Sequence, residues 1–337
     1  MSDRPRVELR RIVATRADAG VRLDHVLRRH LADLGHATRT KVQHWIREGA
    51  VSVNGRSVAR PAARAASGDR IDVAVPPGRA RRRMSAEAPG LGVLDALDVL
   101  FEDEHLLAVN KPAGVVVHPT YRHPTGTLMN ALLWRARHWP EGQRPSLVGR
   151  LDRLTSGIVL VARTARVHAA LQRTLAHAVS EKSYLALVFG RVPASRGVID
   201  LALARDLRDR RRVVAAVTGG LPSVTRFERL ARSQAARSGL ALLRCRLVTG
   251  RMHQIRAHLA ARGWPIVGDP VYGEPRWEQI ADADLAAALH GFPRQALHAW
   301  RLAFPHPITG APVQVHAPVP GDFARLLRTA DLPVPEP

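Results

Sequence analysis

Gly149-Arg150-Leu151-Asp152-Arg153-Leu154-Thr155-Ser156-Gly157-Ile158-Val159-Leu160-Val161-Ala162-Arg163 is the stretch that decides how this chain is read. Its second half, Ile158 to Ala162, is an unbroken apolar run of strand length, as expected of a strand covered on both faces. An Asp between two arginines and a Thr-Ser-Gly turn stand directly before it. Loops held at strand ends by a rigid sheet are usual positions for catalytic groups, and a nearby guanidinium favours the ionised form of a carboxylate. Asp152 is therefore a candidate nucleophile or base. Its plain competitor is a surface Arg–Asp pair, which is common and worth little. On these residues alone the competitor has the better claim.

Three further segments shift the balance. Asn110-Lys111-Pro112-Ala113-Gly114 ends an apolar strand (Leu106 to Val109) and leads into His118-Pro119. Glu181-Lys182-Ser183-Tyr184-Leu185-Ala186-Leu187-Val188 sets a tyrosine in a strand, and Thr249-Gly250-Arg251-Met252-His253-Gln254-Ile255-Arg256-Ala257-His258 joins a strand end to a helix. Polar groups gathered at several strand ends are the pattern of a composite active site. Lys111 beside Pro112 reads as loop structure or RNA contact rather than as an amine catalyst. Cys245, in the strand run Leu240 to Val248, reads as core. His253 and His258 are five apart and do not share the helix face that a metal-binding i, i+4 pair uses.

The N-terminal region is organised differently. Val21, Leu23, Val26, Leu27 and Leu31 recur at helical spacing, and Thr38 or Thr40 precedes a second helix with Val42, Trp45 and Ile46 on one face. Val51-Ser52-Val53-Asn54-Gly55 reads as a strand entering an Asn-Gly turn, and Arg70 to Val75 as another strand. Arg28, Arg29, Arg39, Lys41 and Arg47 fall on the polar faces. Pro76-Pro77-Gly78, the arginines between 79 and 83 and Pro89-Gly90 read as a basic linker. The expected division is 18–76 as a small RNA-binding domain, 77–92 as linker and 93–330 as one α+β domain.

Composition agrees. At roughly 150 residues per domain, 337 residues suggest about two domains. Lys plus Arg number 51 against 29 Asp plus Glu, a formal charge of +22 that would gather polyanions. Only Lys41, Lys111 and Lys182 are lysines, so arginine carries the charge. A bias for Arg over Lys cannot itself create an excess of bases over acids. The single cysteine excludes an intramolecular disulfide framework and a cysteine zinc cage. No apolar run approaches the roughly 18 residues of a membrane span, and Met1 to Arg16 lacks a hydrophobic signal core, so a cytoplasmic location is expected.

Arg39-Thr40-Lys41-Val42-Gln43-His44-Trp45-Ile46-Arg47-Glu48-Gly49, followed by Val51 and Val53-Asn54-Gly55, resembles the alpha-L RNA-binding domain first named in a small-subunit ribosomal protein, S-four. Over nearly its whole length the chain resembles an RluA/RluD-type RNA pseudouridine synthase. The family's signature around its catalytic aspartate is matched by Arg150-Leu151-Asp152-Arg153-Leu154-Thr155-Ser156-Gly157. Later motifs match Lys182-Ser183-Tyr184, Thr249 to Arg256, and His298 through His306-Pro307. The chain departs at Gly149, where the family usually has histidine. The resemblance implies a catalytic domain with a mixed, mainly antiparallel sheet flanked by helices, beside a small N-terminal α/β RNA-binding domain. It implies isomerisation of specific uridines in structured RNA, with large-subunit ribosomal RNA preferred and transfer RNA second. It implies no membrane and no obligate protein partner.

In that reaction the bond from uracil N1 to ribose C1′ breaks, the base turns, and carbon 5 rejoins the sugar. By resemblance Asp152 is the nucleophile or base, Arg251 its ion-pair partner, and Tyr184 the stacking residue and a candidate proton acceptor. Attack at C1′, attack on the base and removal of a ribose proton all stay open for Asp152. Arg150 and Arg153 would bind phosphate or fill the place of an everted base, with Arg256, Arg39, Lys41 and Arg47 as further RNA contacts. The reaction involves no redox change or hydrolysis, so neither a metal nor another cofactor is expected. A non-catalytic RNA-binding or ribosome-assembly factor on the same fold is the alternative, and a base-excising hydrolase a third reading that lacks a second carboxylate.

Overall fold

The computed structural model describes residues 8–31, 37–76, 97–120, 123, 125–176, 179–209, 212–216, 218–234 and 239–336. The expected 77–92 linker lies outside them. The chain divides into two compact units, Met1–Ser85 and Ala86–Pro337.

In the first unit, strand β1 (Glu8–Val13) precedes helices α1 (Leu23–His30) and α2 (Arg39–Arg47), then strands β2 (Val51–Val53), β3 (Arg56–Ser57) and β4 (Arg70–Val75). Thr38 caps α2 through a bond from the Lys41 N–H. Asn54 and Gly55 both take positive φ (52° and 79°), as a two-residue hairpin turn requires. The sheet order is β1-β4-β2-β3, all antiparallel. β1 was not among the expected elements: Glu8-Leu9-Arg10-Arg11 is mostly charged, and the strand exists because β4 has an open edge to pair with. Val26, Leu27, Trp45 and Ile46 from the helices bury against Val51, Ile71 and Val73 of the sheet.

Two buried acids brace the helices, and one of them, Asp24, ties α1 to α2. Asp18 accepts from Arg29 and His30 of α1, and Asp24 from Arg22 and from Gln43 of α2. Burial alone would raise Asp18, but the bonds from His30 and Thr15 outweigh it and hold the carboxyl at about 2. Arg39 also lies 3.6 Å from Asp24. The exposed basic face is therefore anchored from beneath by buried carboxylates.

The second unit contains β5 (Val99–Glu102), β6 (Leu106–Lys111), α3 (Leu128–Arg135), β7 (Ser146–Val148), β8 (Ser156–Ala162), α4 (Ala165–Ala176), β9 (Glu181–Phe189), β10 (Arg196–Asp200), β11 (Leu203–Arg205), β12 (Val213–Ala215), β13 (Val224–Arg232), β14 (Leu240–Leu247), α5 (Gln254–Ala261), α6 (Ala283–His290), β15 (Leu297–Pro305), β16 (Pro312–His316) and α7 (Gly321–Thr329). Its main sheet runs β10-β13-β14-β9-β15-β8-β6-β5, with β16 paired to β15 and β7 to β8. β11 and β12 form a separate hairpin. This is an α+β fold on a mainly antiparallel sheet. Every residue of β8 is buried, which accounts for its lack of polar alternation. Among the described residues no helix is long and apolar enough to cross a membrane.

Among the described residues, one strand pairing in the sheet is parallel. β8 meets β15 through His298 opposite Ser156 and Ala299 opposite Gly157. Elsewhere β15 pairs with β9, and β8 with β6 and β7. The seam lies at the first two residues of β8, directly after the polar loop. Gly157 makes the seam possible. Its φ is +109°, and a Cβ there would overlap the carbonyl of Ala299. Gly149, at φ +88°, has nothing within 4 Å of such a Cβ.

Gly157→Ala should therefore lower stability by about 3 kcal/mol or more, combining overpacking with backbone strain. Gly149→Ala should cost only about 1–2 kcal/mol, from strain alone. Denaturant unfolding of the two variants measures the difference, and equal losses would contradict this account of the seam.

Candidate active site

The loop from Gly149 to Thr155 joins β7 to β8, and its backbone is tied at several points. The Thr155 N–H donates to the Asp152 carbonyl at 3.1 Å, and the Gly114 N–H to the Arg153 carbonyl at 2.8 Å. Gln295 donates to the Thr155 hydroxyl at 2.9 Å. Ser156, the first residue of β8, shares a hydrogen bond with His298 Nδ1 at 3.0 Å across the seam. Beneath the loop lies Lys111, fully buried, with Nζ donating to the carbonyls of Pro112 (2.8 Å), Val115 (3.0 Å) and Arg153 (3.1 Å). Burial, then the charge of Arg294, lowers this amine to about 7, while Asp152 acts in the opposite sense. Lys111 is thus loop structure, one of the two roles its sequence context suggested.

Asp152 projects from this loop into a cleft of about 620 Å³, whose lining includes Arg150, Tyr184, Arg251, His253 and Arg256. The Asp152 side chain keeps 19% of its exposure. Its Oδ2 accepts from Arg256 Nη1 at 2.8 Å. Its Oδ1 lies 3.6 Å from His253 Nε2, which is too long for a hydrogen bond. One carboxylate oxygen is therefore fixed by charge and the other is left to the cleft.

Arg256 is held from behind. Its Nε and Nη2 donate to the two oxygens of Asp269, each at 2.7 Å. Asp269 is fully buried and also accepts the N–H groups of Val271 (2.9 Å) and Tyr272 (3.0 Å). Burial would lower the Arg256 guanidinium, but the hydrogen bonds and charge of Asp269, with Asp152 behind them, hold it above its ordinary value. A bidentate fork is a geometry that Arg can make and Lys cannot.

The pairing arginine is thus Arg256 and not Arg251, the residue expected from the motif. Arg251 is exposed at the cleft wall, and its Nε reaches the Pro222 carbonyl at 3.4 Å. The two arginines stand at different depths because Gln254, at the start of α5, accepts the Arg251 N–H and donates to the Val224 carbonyl. This directs Arg256, two residues on, inward. Arg256 is almost wholly buried and paired twice, so it is not placed as an RNA contact either.

Tyr184, on β9, lines the same cleft. Burial, then the charge of Asp152, pushes its hydroxyl up to about 12. The side chain offers the cleft a ring face and a hydroxyl. Arg150 is exposed and lines the cleft, whereas Arg153 is exposed outside that lining. Arg39, Lys41 and Arg47 are exposed on α2 of the other unit.

The residues not anticipated are His253 as a neighbour of Asp152, and Asp269 and Tyr272 behind it. His253 has a left-handed backbone (φ 52°), a rare conformation that tends to cluster at functional sites. Asp269 had one readable signal. An arginine among Ile255, Ala257 and Leu259 on a buried helix needs an acid, and the sequence Gly268-Asp269-Pro270 supplies one in a turn.

A family model described as RNA pseudouridylate synthase matches residues 105–261, and an S4 domain model matches residues 21–71. A protein of Xanthomonas campestris named ribosomal large subunit pseudouridine synthase D is 39% identical over 95% of this chain and 92% of its own length. A protein of the same name from Xylella fastidiosa is 40% identical over 92% of this chain and 88% of its own. Among solved structures, human RNA pseudouridylate synthase domain containing 4 superposes with a TM-score of 0.57 at 23% identity, covering 71% of this chain and 94% of that one. At that identity it supports the fold alone.

If Asp269 is the buried counter-charge that holds Arg256, Asp269→Ala leaves a buried cation half-paired and should cost about 3–5 kcal/mol. Arg251→Ala should change stability by less than about 0.5 kcal/mol. Urea unfolding of the two variants is the check, and similar costs would reverse the assignment of the two arginines.

Proposed function

This chain belongs to the RNA pseudouridylate synthase family, isomerases that convert uridine to pseudouridine, and from that premise we propose that its substrate is large-subunit ribosomal RNA and that Asp152 is its one essential acid. The substrate reading draws on the names of its relatives. The reading of the acid rests on one observation: Asp152 is anchored through Oδ2 by Arg256 while Oδ1 is left to the cleft.

The chemistry follows from that arrangement. The target uridine leaves its stack and enters the cleft, at a cost of a few kcal/mol. Arg150, exposed at the lip, binds phosphate or occupies the vacated place, and the ring of Tyr184 receives the uracil face. A carboxylate fixed against a guanidinium is aimed, as required at an electron-poor sugar carbon. Uracil departs as an anion, stays in the cleft, and returns through carbon 5. One proton leaves carbon 5 and one reaches N1, so the RNA is isomerised with no net addition of water. A single carboxylate suffices because no water has to be activated. The N-terminal unit, matched by the S4 model, supplies affinity for structured RNA through Arg39, Lys41, Arg47 and their neighbours.

Asp152→Asn keeps the size of the side chain and removes its charge. It should abolish tritium release from carbon-5-labelled uridine in large-subunit ribosomal RNA while leaving RNA affinity within about twofold, a loss of the reacting group without loss of docking. Activity equal to wild type would remove Asp152 from the mechanism.

Docking should be electrostatic. With four or more phosphates met by arginine or lysine, the slope of log affinity against log salt should be about −3 or steeper. Filter binding between low and moderate salt measures it, and a flat response would exclude the basic surfaces as the docking face.

A further inference from the structure

Behind the cleft, the β11–β12 hairpin is joined to the neighbourhood of Asp152 by a short chain of contacts. Leu203 and Val213 of the hairpin share a small core with Ala257 of α5 and with Tyr272. The Tyr272 oxygen accepts the Val213 N–H at 2.9 Å and lies 3.1 Å from the Val213 carbonyl. The same oxygen is 3.2 Å from His253 Nδ1, with the two rings perpendicular and 5.8 Å apart. The other nitrogen of that imidazole, Nε2, faces the free oxygen of Asp152 at 3.6 Å.

The phenol has one proton and two acceptors within reach, the Val213 carbonyl and His253 Nδ1. Burial lowers the His253 imidazole, against the pull of Asp152 and with the push of Arg256, which favours a neutral ring with one proton of its own. A lone pair on Nε2 would face a carboxylate oxygen, whereas an N–H there is attracted to it. Placing the ring proton on Nε2 leaves Nδ1 as an acceptor for the Tyr272 hydroxyl. The Val213 N–H still donates to the phenol oxygen, while the Val213 carbonyl, 3.1 Å away, yields the phenol proton to His253.

We propose that His253 and Tyr272 are positioning residues for the reaction: Tyr272, fixed to the hairpin backbone, donates to His253 Nδ1, and His253 presents its Nε2–H to Oδ1 of Asp152. Arg256 sets one oxygen of the carboxylate and His253 limits the swing of the other. Neither residue exchanges a proton with the substrate. The inference rests on the reading of Asp152 as the essential acid.

Single-turnover conversion of carbon-5-tritiated large-subunit ribosomal RNA tests it in the full chain, with RNA affinity measured alongside. Tyr272→Phe and His253→Asn should each lower the rate at saturating RNA by about 10- to 100-fold, the scale of a misplaced reacting group, with affinity within twofold. Asparagine tolerates the left-handed backbone at 253, so its loss cannot be assigned to strain, and its amide matches Nδ1 rather than Nε2. His253→Gln returns a donor near the Nε2 position and should recover to within about fivefold of wild type, which a merely structural role would not produce. Nitrogen NMR of the imidazole should find His253 protonated on Nε2, with the resonance assigned by its loss in His253→Asn. Wild-type rates in Tyr272→Phe and His253→Asn, equal loss in the Gln and Asn variants, or a proton found on Nδ1 would overturn the proposal while leaving the assigned activity standing. A wild-type protein that released no tritium from this RNA would instead overturn the assigned activity, and the proposal with it.

Discussion

Arg256 stands between two carboxylates, and the geometry of the site depends on it. The inner partner, Asp269, is saturated by two guanidinium N–H groups and two backbone N–H groups. The outer partner, Asp152, receives one bond and keeps an oxygen for the cleft. Burying this many charges would be costly without matched donors. Here the inner pair meets that cost and leaves the guanidinium rigid, so that the outer carboxylate is held by a group that cannot itself move away. A surface Arg–Asp pair, the competitor that the local sequence favoured, has no such second anchor.

The sheet supplies the rest of the precision. Its parallel seam, only two residue pairs long, brings the loop before β8 beside β15 and β9, so that Asp152 from one half faces Tyr184 from the other. Gly157 permits the approach, and Lys111, Gln295 and Gly114 fix the loop from below and from the side. None of these residues lines the cleft. They restrict the conformations of a loop that would otherwise be free, which is the condition for a reacting group to be pre-aimed.

Much of this was legible in residue order. The run Ile158 to Ala162, the Asn54-Gly55 turn and the helical spacing of Val42, Trp45 and Ile46 each encode local structure in local chemistry, and each formed where expected. Asp152 was visible as a candidate from its loop at a strand end, whereas Tyr184, Arg251 and Arg256 became candidates through the family resemblance. The sequence could not show which arginine turns inward. Arg251 and Arg256 belong to one short motif, and their separation depends on Gln254 bonding to Val224, a contact thirty residues away in sequence. Asp269, His253 and Tyr272 were missed for the same reason, since their partners come from distant segments. β1 was missed because a charged strand forms only where a neighbour offers an open edge.

Arg256→Lys tests the central claim most directly, because it keeps the positive charge and removes the fork that joins Asp269 to Asp152. In single-turnover assays on large-subunit ribosomal RNA, its rate should fall by about 100-fold or more with RNA affinity retained, as expected when a reacting group is displaced. A lysine variant within about threefold of wild type would show that the charge alone suffices, and the account of a carboxylate aimed by a doubly anchored guanidinium would be wrong.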